Sequence, residues 1–360
     1  MVRKWLAFLI VAAAMAPMAA AEDAAFYGLL RARDLTPFGY LHLDMRPGFS
    51  GTRKPGKWTI ETDFAYQNTW VTSPLVGKYL NSLPGRRELG PAELQAIRDL
   101  PGENYLVDLE LAQVDMAINY QFSERWGAYA IVSGASFGGG FLDGAIEAFH
   151  ELINGSSFGR PAARRNDYNV LFDLKSSQYA TFESPGEGGW LDPVIGVRYT
   201  AVSADERWRM SLESAVKIPL SHRAAALSTG RTDAGAQLAL QRFSGRHALY
   251  LNVAAVYYAG IDNFLPEPAR VLPTLIVGYE RRLTPRTNAI FQGYASRSVY
   301  GRAQTELEEL RDNKIQLSGG IHHRRGAHLV SVALTENIGN INNTPDIGLQ
   351  VGWSFNPGWN

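Results

Sequence analysis

The sequence of 360 residues carries 35 basic and 35 acidic side chains, is 46% hydrophobic and contains no cysteine. The charge balance excludes the basic stripe that a nucleic-acid-binding protein needs, and the missing cysteines exclude a disulfide framework. After the N-terminal segment no run of about 18 apolar residues occurs, which excludes a transmembrane helix. Insertion in a membrane would therefore require a β-barrel.

Residues 1–21 are predicted to be a signal peptide. Two basic residues precede a short apolar run from Trp5 to Met15, and a series of small residues ends at Ala21. This arrangement is typical of a secretory leader, and the run is too short to span a bilayer. We expect Sec-type export with cleavage after Ala21, and the alternative is an uncleaved anchor.

Residues 22–56 lack the alternating pattern of the rest of the chain, and we expect either a periplasmic segment or a plug in the lumen of a barrel. Aromatic residues such as Phe26 and Tyr40 argue against free disorder. The charged residues of this segment that would pair with charges in a lumen are Arg31, Arg33, Asp34, Asp44 and Arg46.

From residue 57 onward, strongly alternating segments recur. In KWTIETDFAYQNTW (57–70), aromatic and aliphatic side chains share one face and polar side chains share the other, as in a half-buried strand. Most segments reach the 9–11 residues that a tilted strand needs to cross a bilayer. The twelve predicted strands are 57–71, 104–122, 126–136, 191–203, 207–218, 231–243, 247–259, 270–282, 287–299, 313–322, 327–336 and 346–355.

The connections between these segments alternate between short and long, as they do in outer-membrane barrels, which have short periplasmic turns and long extracellular loops. The fold class predicted is therefore all-β: an antiparallel transmembrane β-barrel of about twelve strands over residues 57–355, followed by a tail over 356–360. Aromatic residues near the short-turn end indicate an interfacial girdle; they are Trp58, Phe122, Trp126, Trp208, Phe243 and Phe355. Trp70 is expected at the opposite interface.

The polar face of each strand is expected to line the lumen. Small, amide and mixed-charge residues on this face fit a narrow polar interior. The lumen-lining residues predicted are Glu61, Asp63, Gln67, Asp115, Asn119, Arg209, Glu213, Lys217, Gln237 and Gln241.

One segment, 104–122, changes phase: its apolar residues are odd-numbered up to Leu111 and even-numbered from Val114. One inserted residue near Ala112 or Gln113, forming a β-bulge, would explain the change. A transition from extracellular structure to a membrane strand would explain it equally well.

Two long extracellular loops are expected to contain helical insertions. Residues 91–100 begin with a proline suited to the first helical position. In 141–153 the spacing of apolar residues predicts a short helix, which is either a lid at the pore mouth or packing on the rim. The residues on its apolar face are Leu142, Ile146, Phe149 and Ile153.

Catalytic and metal sites are not predicted. The sequence contains no GxSxG and no His-x-Ser-Asn-Gly-like stretch, and no set of residues completes a metal site around Glu147, His150 and Glu151. Arg160, Arg164 and Arg165 are candidates for pairing with lipopolysaccharide phosphates, or they belong to a solvated loop.

Two stretches resemble a known family: FYGLLRARDLTPFGYLHLDMRP (26–47) and FLDGAIEAFHELI (141–153) are similar to the exported bacterial family called domain of unknown function 3187. This resemblance implies an outer-membrane barrel and supplies no catalytic residues. More loosely, residues 216–240 are similar to a Lys-x-Pro…Gly-x-x-Asp strand pair of outer-membrane transporters linked to aromatic-compound degradation. The last strand, 346–355, resembles the C-terminal signal of outer-membrane assembly, although five residues follow it.

The function expected is a passive channel or small-molecule transporter in the bacterial outer membrane. The alternatives are a closed structural or adhesive barrel that binds lipopolysaccharide or an external partner, and a barrel lipid enzyme. The expected partners are outer-membrane lipid and lipopolysaccharide, the outer-membrane assembly machinery and an unidentified small solute. No nucleic acid, cofactor or metal is expected.

Overall fold

A computed structural model describes the chain over residues 26–31, 33–37, 39–49, 54–152, 159–175, 177–181, 188–203, 205–221, 227–260, 268–338 and 343–359. The predicted signal peptide and Ile153 lie outside these residues. None of the described helices is long and apolar enough to cross a membrane.

The strands form one antiparallel sheet that closes on itself. In chain order they are β1 (Lys57–Thr72), β2 (Asn104–Gln121), β3 (Trp126–Gly138), β4 (Asn169–Leu174), β5 (Ser177–Thr181), β6 (Gly189–Trp190), β7 (Val194–Val202), β8 (Trp208–Lys217), β9 (Asp233–Ser244), β10 (His247–Tyr258), β11 (Arg270–Arg282), β12 (Thr287–Ser296), β13 (Lys314–Arg325), β14 (His328–Asn337) and β15 (Ile347–Phe355). β3 pairs with β7, and β1 pairs with both β2 and β15, so that Ile60 lies opposite Phe355 and Asn68 opposite Ile347. Twelve strands thus close the barrel, which confirms the predicted fold, and β4 to β6 belong to the long loop between β3 and β7.

Alternation along each strand separates an outer apolar face from an enclosed face. In β10, Leu249, Leu251 and Val253 are exposed, whereas Tyr250 and Asn252 are buried. No water-soluble barrel would leave such a continuous apolar belt outside, because exposed apolar patches of this size mark contact with lipid or protein. A closed barrel also satisfies every backbone donor and acceptor of its strands without an edge. The fold is therefore that of a membrane-spanning barrel of the outer-membrane type.

The aromatic girdle is confirmed at the short-turn end for Trp58, Trp126 and Trp208, which expose about half of their surface. One member of this set, Phe243, and the separate placement of Trp70 at the opposite interface were wrong. Phe243 faces the interior, where its ring stacks on Phe26 at a centroid distance of 5.2 Å. Trp70 is only 4% exposed, because extracellular helices cover it.

The apparent change of phase in β2 is not a bulge. β2 pairs with β1 in one uninterrupted register from Leu106 opposite Thr72 to Gln121 opposite Lys57. Odd-numbered side chains face inward throughout. Near the extracellular end both faces are covered: Tyr105 packs in an apolar cluster on the inner side, and Leu106 packs under helices on the outer side. The change of phase therefore reflects a change of environment, and the second interpretation is correct.

The long-loop end carries short helices, as predicted for the loops after β1 and β3. They are α1 (Pro74–Ser82), α2 (Pro91–Arg98), α3 (Asp143–Leu152) and α4 (Glu308–Arg311), together with a 3₁₀ turn at Arg160–Ala162; a second 3₁₀ turn, Pro357–Trp359, follows β15 at the short-turn end. Proline occupies the first turn of α1 and α2, where its missing N–H costs nothing. Together α1 and α2 bury Val76, Leu80 and Ile97 against the extracellular part of β1 and β2.

An arginine on the lipid face tests this assignment of faces. Phe64 lies on the outer face of β1 opposite Val351, so Phe64→Arg should cost roughly 2–4 kcal/mol of folding free energy in lipid. The measurement is urea unfolding of the refolded barrel in vesicles. Glu61→Gln is the control, since Glu61 faces inward and glutamine keeps its hydrogen-bonding capacity. A larger loss for Glu61→Gln than for Phe64→Arg would contradict the assignment.

Candidate functional site in the barrel lumen

The interior of the barrel is occupied by residues 26–31, 33–37 and 39–49; we term the stretch 26–49 the luminal segment. It ascends from contacts with the periplasmic halves of β10 to β12, turns near the extracellular ends of β8, β9 and β13, and descends along β1, β8 and β9. These positions are fixed by side-chain contacts with the wall, because none of the described residues of the segment pairs with a barrel strand.

At the start of the luminal segment, the carboxylate of Glu280 on β11 accepts hydrogen bonds from the backbone N–H groups of Tyr27 and Gly28, each at 3.1 Å. Tyr250 and Asn288 also donate to this carboxylate, which is fully buried. Gln292 on β12 then forms two bonds with the backbone of Leu30, at 2.8 and 3.2 Å. A buried carboxylate without hydrogen-bond donors would be costly in this interior. The backbone N–H groups of the luminal segment supply such donors, and they therefore fix the segment to the wall.

Halfway up, the luminal segment crosses the lumen. Arg31 and Arg33 both reach Asp115 on β2, and the Nη1–Oδ1 distance from Arg33 is 2.9 Å. Ser133 on β3 donates to the same carboxylate at 2.6 Å. Because β2 lies diametrically opposite β11 in a twelve-strand order, these ion pairs tie the segment across the full width of the barrel.

The turn of the luminal segment is held by two buried lysines at the extracellular ends of strands. Lys314 on β13 pairs with Asp34, and both side chains are almost completely buried. Lys217 on β8 donates to the carbonyl oxygen of Leu41 at 2.6 Å and pairs with Asp233 at 2.8 Å. The pairing satisfies cations that would otherwise be strongly disfavoured at this depth.

The descending limb makes a second ion-pair cluster. Arg46 pairs with Glu61 and with Asp63, the latter at 3.2 Å. Gln237 donates to the carbonyl oxygen of Arg46 at 2.7 Å, and Gln241 donates to that of Gly48 at 3.0 Å. Amide side chains on β9 thus donate to backbone carbonyl groups of the luminal segment, as the N–H groups of a neighbouring strand would do in a sheet.

The two limbs approach each other so closely that only glycine fits at residue 28. Gly28 has a φ of +94°, and a Cβ atom there would lie 2.7 Å from the ring of Phe49. Gly28→Ala should therefore displace the limbs and cost about 1–3 kcal/mol. Urea unfolding of the refolded barrel measures the effect. Gly56→Ala is the matched control, because Gly56 shares a positive φ of +73° but has no atom within 4 Å of the added Cβ; equal losses for the two variants would contradict the close-packing argument.

The ten residues predicted to line the lumen all have inward-facing side chains. Seven of them contact the luminal segment directly: Glu61, Asp63, Gln67, Asp115, Lys217, Gln237 and Gln241. The other three contact wall residues: Asn119 donates to Glu61 at 3.1 Å, Glu213 pairs with Arg198, and Arg209 lies 5.2 Å above the ring of Phe243.

Sequence reasoning missed four wall residues that hold the luminal segment: Glu280, Gln292, Lys314 and His322. Each occupies an inward position of its strand, so the same alternation would have identified it. The alternation does not identify the residue that each of these side chains contacts, because the contacting residues are up to 294 positions away in the sequence.

In the part of the barrel that the structure describes, two cavities lie beside the luminal segment. The larger, of about 100 Å³, lies in the periplasmic half between Arg46, Glu61, Arg198 and His322. The smaller, of about 50 Å³, lies in the extracellular half, where Arg31 and Arg33 face an apolar wall that includes Leu191. Each has room for only a few water molecules.

Above the luminal segment an apolar cluster closes the extracellular mouth. Tyr105 on β2 and Phe172 on β4 pack with Tyr258 and Leu272 from the opposite wall, and Tyr300 completes the cluster. A cluster that joins β2 to β10 and β11 must cross the mouth, because these strands lie on opposite sides of the barrel.

The loop between β3 and β7 is fixed to the wall by Arg160, which is only 2% exposed. Its guanidinium binds Asp143 at 2.9 Å, Asn68 at 2.8 Å and Asp346 at 2.5 Å. Burial raises the pKa of Asp346 to about 6, although Arg160 lowers it. The interpretation of Arg160 as a ligand of lipopolysaccharide was wrong, since its donors are turned inward.

The helix predicted over residues 141–153 is α3, and it begins beside the extracellular ends of β1 and β2, where Asn68 donates to Asp143 and Glu110 accepts from the backbone N–H of Leu142. Ile146 on the apolar face of α3 is buried. The carbonyl oxygen of Leu142, which precedes the helix, accepts hydrogen bonds from the backbone N–H groups of Ala145 and Ile146 in its first turn. Ile153 and the side chain of Phe149 lie outside the described part of the chain. Glu147 is bound by Arg86 and Arg165; burial raises the pKa of Glu147, but the two guanidinium groups outweigh this and lower it below its ordinary value.

His322 and Ser331 form a hydrogen bond of 2.7 Å in the wall of the larger cavity. The other ring nitrogen, Nε2, lies 3.0 Å from the carbonyl oxygen of Gly28, so it must donate there. In a catalytic triad, the group that binds the second nitrogen of the histidine ring, the outer partner, is a carboxylate or amide that orients the histidine as a base. Here the outer partner belongs to the luminal segment, and the pair serves as one more attachment of that segment.

The sequence matches the family described as protein of unknown function (DUF3187) over residues 100–356. The chain therefore belongs to this family, as its resemblance indicated. Comparison with curated proteins gave no match.

Among solved structures, the chain is similar to the COG4313 outer membrane channel from Pseudomonas putida F1, with a TM-score of 0.54 and 10% identity over 87% of this chain and 99% of that chain. It is also similar, with lower TM-scores, to the P. putida toluene transporter TodX (0.42, 9% identity, 84% and 91% covered) and to a Pseudomonas aeruginosa FadL homologue (0.37, 9% identity, 83% and 90% covered). At these identities the first likeness establishes a shared fold.

Proposed function

We propose that this protein is an outer-membrane channel or transporter for small molecules, with the luminal segment as its plug. The observation that carries the proposal is how the lumen is filled. A twelve-stranded barrel is wider than the eight-stranded barrels that wall side chains fill alone. Here the remaining space is taken by a separate segment attached through side chains, which leaves one cavity beside it in the periplasmic half and another in the extracellular half.

Such a plug can be displaced without breaking the barrel. Its attachments are ion pairs and hydrogen bonds to inward side chains, whereas the strands are held by their own backbone ladders. The fold it shares with an outer-membrane channel supports the same function. A solute would pass between the wall and the displaced segment, past Arg198 and Asp115, and the apolar mouth cluster would have to open.

Single-channel conductance in planar bilayers tests the proposal. The variant replaces residues 26–49 by a Gly/Ser sequence of equal length, which keeps the connection to β1 and removes the contacts. The full chain should show rare, short openings, and the variant should conduct steadily. Resistance to SDS before heating verifies that the barrel has folded. A folded variant that does not conduct would overturn the channel, and equal steady conductance of both proteins would overturn the plug.

We further infer that the chain reaches this membrane by cleavage after Ala21 and assembly through β15. The predicted leader and the alternation from Ile347 to Phe355, which ends in an aromatic residue, support this route. Mass measurement of the purified protein tests the cleavage site, and Phe355→Ala should slow assembly by the outer-membrane machinery. For lipopolysaccharide, exposed Arg164 and Arg165 remain as candidates.

A further inference from the structure

The periplasmic rim of the barrel is electrostatically asymmetric. The periplasmic halves of β9 to β14 with their turns (239–251, 276–292 and 319–333) contain seven arginines and one acidic residue, Glu280. Glu280 is buried and bound to the luminal segment. On the other side of the rim, the turns after β2 and β7 mix Glu124, Asp205 and Glu206 with arginines.

Five of the seven arginines are exposed at the lipid-facing or turn positions of this arc, and we term them the arginine crescent: Arg242, Arg246, Arg281, Arg286 and Arg325. Among the described residues, none of these guanidinium groups lies within 4 Å of a carboxylate. Two exposed arginines elsewhere do have such partners: Arg164 pairs with Glu88, and Arg207 pairs with Asp205.

Three members of the crescent lie on the outer face at the level of the aromatic girdle. Arg242 stacks over the ring of Trp208 at 5.3 Å. Arg281 lies opposite His247, whose ring stacks on Tyr279. Arg325 lies opposite His328, whose ring stacks on Trp353 at 5.8 Å.

The girdle marks the depth of the lipid headgroups, and arginine at this depth extends its charge towards phosphate while its stem stays on apolar surface. β9, β11 and β13 are each separated by one strand, so these three arginines are spaced at roughly 10 Å, twice the distance between paired strands. That spacing lets neighbouring lipids each meet one guanidinium, which binds phosphate through two parallel N–H donors.

We propose that the arginine crescent is a binding site for the phosphate groups of anionic phospholipids in the periplasmic leaflet. The site lies on the outside of the barrel and is independent of transport. It would hold a shell of phosphatidylglycerol or cardiolipin on one side of the barrel and leave the side of β1 to β8 without preference.

Native mass spectrometry of the purified protein in mixed micelles of phosphatidylglycerol, cardiolipin and phosphatidylcholine tests the proposal. The wild type should retain anionic lipids over phosphatidylcholine. A basic residue near an anionic lipid surface contributes about fivefold in affinity, so the triple variant R242Q/R281Q/R325Q should retain at least about tenfold less anionic lipid. The matched control is R125Q/R207Q, which removes exposed arginines from the opposite side of the rim and should retain the wild-type amount.

Retention that is equal in the triple variant and the wild type would overturn the proposal, and so would an equal loss in both variants. Millimolar inorganic phosphate should not displace the bound lipid; displacement would assign the site to free phosphate instead. Resistance to SDS before heating verifies that each variant is folded. If the triple variant fails to fold, the single variants R242Q and R281Q, each with an expected loss of about fivefold, replace it.

Discussion

Replacing Arg160 by methionine is expected to destabilise the extracellular part of the protein by about 3–5 kcal/mol, because two buried carboxylates lose their cation. Arg160 binds Asp143 and Asp346, and its guanidinium also covers the ring of Trp70 at 5.4 Å. Methionine fills much of the same volume, so the loss isolates the charge and hydrogen bonds from packing. Lysine should not restore the site, since it lacks the planar fork that reaches three acceptors.

The measurement is urea unfolding of the refolded barrel, with proteolysis of the loop between β3 and β7 as a local readout. Arg164→Met is the control: its ion pair with Glu88 is more than half exposed on both sides, so the loss should be within about 1 kcal/mol. A similar, small effect for both variants would show that Arg160 does not organise the loop.

Lys314→Met is the second substitution with a large expected effect, and it acts on the luminal segment. It leaves the carboxylate of Asp34 buried without its cation, which we expect to cost about 3–5 kcal/mol in the closed state. Because Asp34 belongs to the segment and not to the wall, displacement of the turn relieves this cost by returning the carboxylate to water. The variant should therefore open far more often than the full chain in planar bilayers.

The double variant Asp34→Asn with Lys314→Met separates charge from contact. It removes both charges, and asparagine keeps an oxygen that can accept from Thr36 as Asp34 does at 3.0 Å. We expect it to close again for most of the time, since a buried pair removed together costs little. Opening of the double variant as frequent as that of Lys314→Met would mean that the ion pair does not hold the plug.

The barrel itself was accessible from the sequence, because its wall obeys a local rule. Each strand alternates between lipid and interior, so the phase of Leu249 and Leu251 or of Gln237 and Gln241 can be read without knowing any neighbour. The alternation of short and long loops predicted which end of the barrel is periplasmic. Together, strand alternation and loop lengths predicted twelve strands, and the pairing of β1 with β15 closes them into a barrel.

Alternation gives the face of the sheet on which a side chain lies, but it does not give what covers that face. Trp70 continues the outward phase of β1, yet α1 and α2 shield it from lipid, and their position depends on folding of a distant loop. Phe243 lies near the correct end of β9, yet its odd position turns it towards Phe26 of the luminal segment. The sequence of β2 showed a change in apolar pattern and left open whether the backbone or the surroundings changed; continuous pairing with β1 decided for the surroundings.

By itself, the sequence determined the fold class and the number of strands, and it predicted which side chains of a strand face inward, because period-two alternation and strand length act over about ten residues. Only the tertiary structure decided what those side chains meet. Glu280 and Tyr27 are 253 residues apart, and Arg33 and Asp115 are 82 apart. No local pattern encodes such pairs, since a buried charge specifies that it needs a partner but not which one. Closure of the strands into a ring brings the partners together.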